Sequence, residues 1–380
     1  MTAVSVIGVG LHPFGRTEGV TARAQGMVAA RRALADASIS FRDIQFAAGG
    51  SYDGGTADAL VNDLGLTSLP FMNVFNGCAT GGSALTAATS AILSGRADIA
   101  LAVGFDKHPR GAFNSDPEEF GLPQWYGHTG MMLTTQFFAM KIQRYLYEHD
   151  LSPELLGHVA AKAYANGALS GAWRQQAMTA EEINSAQMVS HPLTQYMFCS
   201  PGEGGAAVVL CRDDLASKYT DKPVHLKAVT LRSRRYGSFE VFTTSMPPEV
   251  SESVTTAAAT AAFEEAGVSP ADVDVAQLQD TEAGAEIMHM AETGLCGHGD
   301  QAKLILDGQT KIGGSLPINT DGGLIANGEP VGASALRQVT EIVTQLRGAA
   351  GRRQVPGSPR VGFTHVYGAP GVSSCSVLTL

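Results

Sequence analysis

The sharpest chemical signal in the 380-residue chain is Asn76-Gly77-Cys78-Ala79-Thr80-Gly81-Gly82-Ser83-Ala84-Leu85. An apolar run, Phe71–Phe75, leads into the cysteine, and the small residues after it let a helix begin at once. A thiol at a helix N-terminus lies near the positive end of the dipole, which favours the nucleophilic thiolate. An isolated cysteine is more often a buried structural residue, but the flanking glycines and the strand-to-helix setting of Cys78 favour the nucleophile.

Three further segments carry groups suited to acid–base work. The loop from Asn319 to Ala333 (NTDGGLIANGEPVGA) sets four glycines around Glu329, so backbone there must pass close to a ligand or to another part of the fold. The turn His365-Val366-Tyr367-Gly368-Ala369-Pro370-Gly371 follows an apolar run. Tyr367 and His365 could move a proton there, or the tyrosine could be an anchored core ring. Gln277 to Glu282 (QLQDTE) ends a strand-like run. Polar groups at the carboxyl end of such a strand face a crevice in α/β folds, so Asp280 either lines that crevice or caps a helix. Finally, Trp125, Tyr126 and His128 in Gln124-Trp125-Tyr126-Gly127-His128 could line an apolar channel or pack a dimer.

The elements that must hold these loops repeat. Ala33–Phe46 (ALADASISFRDIQF) and Ala262–Val275 (AFEEAGVSPADVDV) share four identical positions, and each reads as a helix end, a turn with Ser, and Asp before a β-branched strand. Gly82–Leu85 (GSAL) after the Cys78 loop matches Ala333–Leu336 (ASAL) after the Glu329 loop. Gly204–Leu210 and Gly371–Leu380 are both small residues feeding a buried strand. Repetition is settled before fold. Its order gives an N-terminal half, 1–220, and a C-terminal half, 221–380, with an insertion at about 106–200. Apolar runs such as Val4–Val9, Ile99–Val103 and Val361–His365 alternate with helical patterns, which predicts parallel strands covered on both faces. The expected architecture is an α/β five-layer αβαβα sandwich, in which the central helices of two similar βα halves meet between two sheets.

Charged residues are 16% of the chain, against about 25% in an average soluble domain, so much surface is expected to be covered by subunit contacts. A net charge of −10 excludes a general nucleic-acid binder. Five scattered cysteines without a CxxC pair indicate neither a disulfide framework nor a metal site, which fits a reduced, cytoplasmic setting. The start lacks a signal-peptide pattern, and no apolar run approaches the ~18 residues of a membrane span.

In order and spacing, the NGCATGGSAL loop, the NTDGGLIANGEPVGASALRQ loop and the HVYGAPG turn resemble the three catalytic loops of the thiolase superfamily across essentially the whole chain. The resemblance implies the duplicated fold, acyl-coenzyme A substrates and at least a homodimer. Cys78 would match the acyl-accepting cysteine. The basic cluster Arg232, Arg234 and Arg235 could meet the coenzyme A phosphate or be a solvated loop. The departures are informative. Thiolases read Gly-His-Pro where this chain has Gly328-Glu329-Pro330, and the acid–base cysteine of the last loop is replaced by the Tyr367–Gly371 turn. Gln279-Asp280 stands for the usual Asn-Glu or His-Asp.

Together with Lys107-His108-Pro109-Arg110-Gly111-Ala112-Phe113, these features are similar to the lipid-transfer-protein-type (sterol carrier protein X-like) thiolase homologues that act as retro-aldolases in steroid side-chain degradation. That resemblance implies a small OB-fold and zinc-ribbon partner forming a heterotetramer, with coenzyme A entering only as part of the substrate. The expected chemistry is carbon–carbon cleavage of a tertiary β-hydroxyacyl-CoA. Tyr367 is the acid or base, Asp280 or His365 orients it, and the loop amides near Cys78, Gly328, Gly368 and Gly371 are candidates to hold the enolate oxygen. The competing expectations are an acyltransferase with Cys78 as nucleophile, and a non-catalytic acyl-CoA or lipid binder.

Overall fold

The computed structural model describes residues 3–200, 202–236, 252–369 and 371–380, so Pro370 of the Tyr367 turn lies outside the described residues. The chain opens with β1 (Val4–His12), α1 (Ala22–Asp36), β2 (Phe46–Gly50), α2 (Val61–Leu64), β3 (Phe71–Asn73), α3 (Thr80–Leu93) and β4 (Ile99–Lys107). An inserted region follows: α4 (Gln124–His128), α5 (Thr134–Glu148), α6 (Leu155–Ser170), α7 (Ala180–Asn184) and the short strands β5 (Met188–Ser190) and β6 (Leu193–Thr194). Next come β7 (Glu203–Arg212), β8 (Val224–Ser233), α8 (Val254–Ala266), β9 (Val275–Leu278) and α9 (Ala283–Glu292). The chain closes with α10 (Gln301–Leu306), α11 (Gly323–Asn327), α12 (Ser334–Leu346), β10 (Val361–Gly368) and β11 (Val372–Thr379).

Among the described residues nine strands form one sheet in the order β3-β2-β4-β7-β1-β8-β11-β10-β9. It is two copies of one pattern. In the first, β2 pairs parallel with β3 and β4, β4 antiparallel with β7, and β7 antiparallel with β1. In the second, β9 pairs parallel with Ile318 and β10, β10 antiparallel with β11, and β11 antiparallel with β8. The copies meet where Val4–Val6 of β1 pair with Val224–Leu226 of β8. The expectation of parallel strands throughout is therefore corrected. Apolar runs specify burial on both faces but not direction, and the last strand of each copy runs back antiparallel, β11 through the tight turn after Gly368. The sequence repeat has a structural basis as well. Ser40 and Ser269 each open a 3-10 turn, and their N–H groups donate to Asp43 Oδ2 and Asp272 Oδ2, both at 2.8 Å.

Alternation along the strands builds the layers. Val4, Val6, Ala48, Ala102 and Val208 face inward against Leu85 and Ile92 of α3 and Leu336, Val339 and Ile342 of α12. Ile7, Leu101, Val103 and Val209 face outward onto Ala29, Ala30 and Ala33 of α1. Ala228, Phe363 and Val377 face outward onto Ala258, Ala262 and Phe263 of α8. The order is helix, first half of the sheet, paired central helices, second half of the sheet, helix. One continuous sheet stands in place of the two expected, because β1 pairs with β8. The inserted region packs Ile142 of α5 and Leu156, Val159 and Tyr164 of α6 on Ile287 and Met288 of α9. No helix among the described residues is long and apolar enough to cross a membrane.

Candidate active site

The Cys78 loop is shaped by backbone contact with the opposite copy. Gly77 takes a positive φ of 55°, and a Cβ there would stand 2.6 Å from Ala369 O. A Cβ on Gly368 would stand 2.2 Å from Asn76 O, so neither turn tolerates a larger residue. The loop is braced from within, since Asn76 N–H donates to Thr80 Oγ1 (2.9 Å) and Asn76 Nδ2 to Ser83 Oγ (2.7 Å). Cys78 is thereby held, half-buried, two residues before α3.

Glu329 occupies the centre of the site. The chain leaves α11 through Gly328 at φ 96°, and Pro330 to Gly332 then press against the first copy. Gly332 N–H donates to Asp106 Oδ2 at 2.6 Å, and a Cβ on Gly332 would meet Gly50 O at 2.4 Å. The Glu329 carboxylate, 4% exposed, collects donors from several directions. Gln279 Nε2 donates to Oε1 (2.7 Å), while Thr281 Oγ1 (2.8 Å) and Cys199 Sγ (3.5 Å) donate to Oε2. Cys78 approaches the same carboxylate. Burial pushes the Glu329 carboxyl above the usual carboxylate range, although these bonds pull it back part of the way.

The same arrangement works against the thiolate expected of Cys78. Burial, and then the negative charge of Glu329, push both Cys78 and Cys199 well above the usual thiol range. A nearby like charge and desolvation both disfavour the anion, and here they outweigh the helix end. Gln279 also ties this centre to the tyrosine turn, because its Oε1 accepts the Tyr367 N–H.

Tyr367 lies 4% exposed among Leu122, Met132, Phe137 and Val254, with Tyr126 packed beside them. Lys141 Nζ of α5 sits 4.7 Å from the centre of its ring. The His289 ring of α9 stacks on it at 6.2 Å, and His289 Nδ1 lies 2.7 Å from Glu292 Oε2. His365, two residues before Tyr367 on β10, packs on His289 at 4.3 Å and has Nε2 3.2 Å from Thr255 Oγ1. Burial, then the charges of His289 and Lys141, hold His365 well below the usual imidazole range, so it is neutral.

Asp280 caps α11: its carboxylate accepts the N–H groups of Leu324 (2.7 Å) and Ile325 (3.3 Å). Burial and then Glu286 raise its carboxyl well above the usual range. It therefore positions the Glu329 loop; the bonds it makes are to α11 rather than to Tyr367. Of the α4 residues, Trp125 and His128 are exposed, and Tyr126 reaches the Tyr367 cluster. Gly371, at φ 123°, closes the turn by donating its N–H to Gly368 O (2.8 Å). Arg234 and Arg235 are exposed beyond the end of β8, where Ser233 pairs with Val372, and Arg235 forms an ion pair with Glu252. Sequence reasoning missed Cys199, Lys141, His289 and Glu292. Only the last pair left a signal, a His and a Glu three apart on one helix, which ordinarily reads as a surface pair.

Two family models match the chain: thiolase, N-terminal domain, over residues 4–189, and thiolase C-terminal domain-like, over residues 240–379. An acetyl-CoA acetyltransferase of Methanothermobacter thermautotrophicus is 32% identical, covering 98% of this chain and 97% of that protein. Sterol carrier protein 2 of Gallus gallus is 31% identical over 94% of this chain and 68% of its own length. The benzoylsuccinyl-CoA thiolase subunit BbsB of Thauera aromatica is 30% identical over 96% and 94%. Among solved structures, an Ltp2-ChsH2(DUF35) aldolase superposes with a TM-score of 0.88 over 99% of this chain and 97% of that one, at 22% identity. The duplicated sheet, the paired central helices and loops converging from both copies are thus those of an established fold, and the chain belongs to the thiolase family.

Proposed function

We propose that the protein is a retro-aldolase that cleaves a β-hydroxyacyl-CoA, with a steroid side-chain thioester as the preferred substrate class, releasing a ketone and a shorter acyl-CoA. The observation that carries this reading is the placement of Glu329 against Cys78. Burial and the Glu329 charge both disfavour the thiolate, while Tyr367 stands next to a cation and a histidine. A thiolase acyl transfer needs the thiolate; an aldol cleavage does not.

In the cleavage, Tyr367 as phenolate takes the proton of the β-hydroxyl, and Lys141 balances its charge beforehand. The β C–O becomes a carbonyl, the Cα–Cβ bond breaks, and its electron pair moves onto the thioester as an enolate. Donors fixed at the enolate oxygen lower the barrier, each contributing about 3 kcal/mol. The neighbouring backbone amides of the Cys78 and Gly368–Gly371 turns supply candidates. Return of the proton from Tyr367 to Cα completes the shorter acyl-CoA and restores the phenolate.

The exposed edge around Met72, Phe75 and Tyr52 suits a second copy of the chain, giving a homodimer in the cytoplasm. A small OB-fold partner accords with the DUF35 component named for the aldolase structure and with BbsB being a subunit. A second reading, acyl transfer through Cys78, is favoured by the cysteine's position just before α3 and by the acetyltransferase relative.

Incubating the protein, alone and with its co-purifying partner, with a tertiary β-hydroxyacyl-CoA and no free coenzyme A separates the two. Ketone release that falls at least about 100-fold in Tyr367→Phe and persists in Cys78→Ala supports the aldolase. Cleavage instead of a β-ketoacyl-CoA, only on adding coenzyme A and abolished by Cys78→Ala, would make it a thiolase.

A further inference from the structure

Tyr367 is buried, yet the groups behind it lead outward. His289 is 3% exposed, with its ring 6.2 Å from that of Tyr367 and 4.3 Å from that of His365, while its Nδ1 is engaged by Glu292. An imidazole whose Nδ1–H is held by a carboxylate keeps Nε2 as the proton acceptor. Glu292 is the first of these side chains to reach water, at 10% exposure. It stands in the wall of a groove of about 590 Å³ between α8 and the end of α9, with Thr256, Thr260, Phe263, Pro270 and Thr293. Burial would raise its carboxyl, but the bond to His289 and the nearby Lys141 outweigh that and hold it below the usual range. A carboxylate, an imidazole and a phenol thus follow one another inward from the groove.

We propose that His289 and Glu292 form a proton relay that joins Tyr367 to solvent in the groove between α8 and α9. Before turnover the Tyr367 hydroxyl proton passes to His289 Nε2, directly or through one water. The resulting imidazolium donates Nδ1–H to Glu292, and the phenolate faces Lys141. From Glu292 the proton leaves to groove water, with no change in oxidation state and no co-reactant. The relay rests on the aldolase reading for what Tyr367 does to substrate, but its own operation is visible without substrate. The groups that face His289 are Glu292 on its own helix, His365 and Tyr367 on β10, and Lys141 on α5.

The test is a pH titration of tyrosinate absorbance in the ligand-free protein, taken as the difference from Tyr367→Phe. It is run for the unchanged protein, His289→Gln and Glu292→Gln. The relay requires the Tyr367 titration to move up by about one unit or more in both variants, and the alkaline limb of any ketone-release profile to move with it. Glu292→Gln keeps shape and sits at the solvent edge, so it reads the relay even where His289→Gln fails to fold. An unmoved Tyr367 titration in Glu292→Gln, with only a lower melting temperature, would make the pair structural and overturn the relay. A shifted titration in a protein that releases no ketone keeps the relay and removes the aldolase reading; ketone release with an unmoved titration does the reverse.

Discussion

The two copies of the βα pattern use their corresponding strand ends differently. In the first copy, the end of β4 supplies Asp106, whose carboxylate is filled by Ser51 Oγ (2.7 Å), the Tyr52 and Asp53 N–H groups (2.9 and 2.8 Å) and Gly332 N–H (2.6 Å). Every bond ties one backbone segment to another. In the second copy, the ends of β9 and β10 supply Gln279, Asp280, Glu282 and Tyr367, and the carboxyls there are raised by burial. One copy clamps, the other keeps groups poised to change protonation. The same topology supports both, so the chemistry is set by which side chains the strand ends carry and how many donors each receives.

The contrast predicts where alkali does harm. Glu282, which caps α9 through Gly284 N–H, holds its proton to about 8 because it is buried, against 4.5 for the unperturbed side chain. The folded state therefore binds the extra proton between these values. The contribution is full below about 4.5 and is lost as pH rises through about 8, on the order of 4 kcal/mol in all. Urea titrations at stepped pH should show stability falling across that window, and a flatter profile for Glu282→Gln. No flattening would mean that the carboxyl is ionised at no cost.

Breaking the clamp should cost about 3 kcal/mol. Asp106→Ala leaves the Gly332 and loop amides without their acceptor, and hydrogen bonds to a charged group contribute about 1.5–3 kcal/mol. Thermal melting reads this, and an effect below 1 kcal/mol would sink the claim that Asp106 joins the copies. The smallest effect sharpens the poised side: Glu329→Gln removes a negative charge beside Cys78. Iodoacetamide labelling of Cys78, followed by mass spectrometry at fixed pH, should quicken about tenfold for each unit by which the thiol pKa falls. An unchanged rate would show that desolvation alone holds the thiol up.

The repeat, the layers and the four polar loops were legible in the sequence because Gly, Cys and Tyr punctuate strand ends and the apolar runs alternate. Strand direction was not, since Val4–Val9 reads the same in a parallel or an antiparallel pair. The upward shift of Cys78 was not legible either, because it depends on burial in the fold and on Glu329, which comes from the other copy. Nor was Cys199, which reaches the site from the end of the inserted region without any local motif. Asp280 had two readings, crevice or cap, and only the position of α11 distinguishes them.

The short seam between β1 and β8 also brings the chain's course round on itself. Ser5 pairs with His225, and so, from the other side, does Thr379, so the first and last strands lie two strand spacings apart, about 10 Å, and run in the same direction. A few residues of linker would span that gap. The connection between β7 and β8 would then be free to open, and the order of the copies along the chain could be exchanged while every loop of the site kept its neighbours. The site belongs to the symmetry of the pairing, not to the order in which the ribosome delivers its halves.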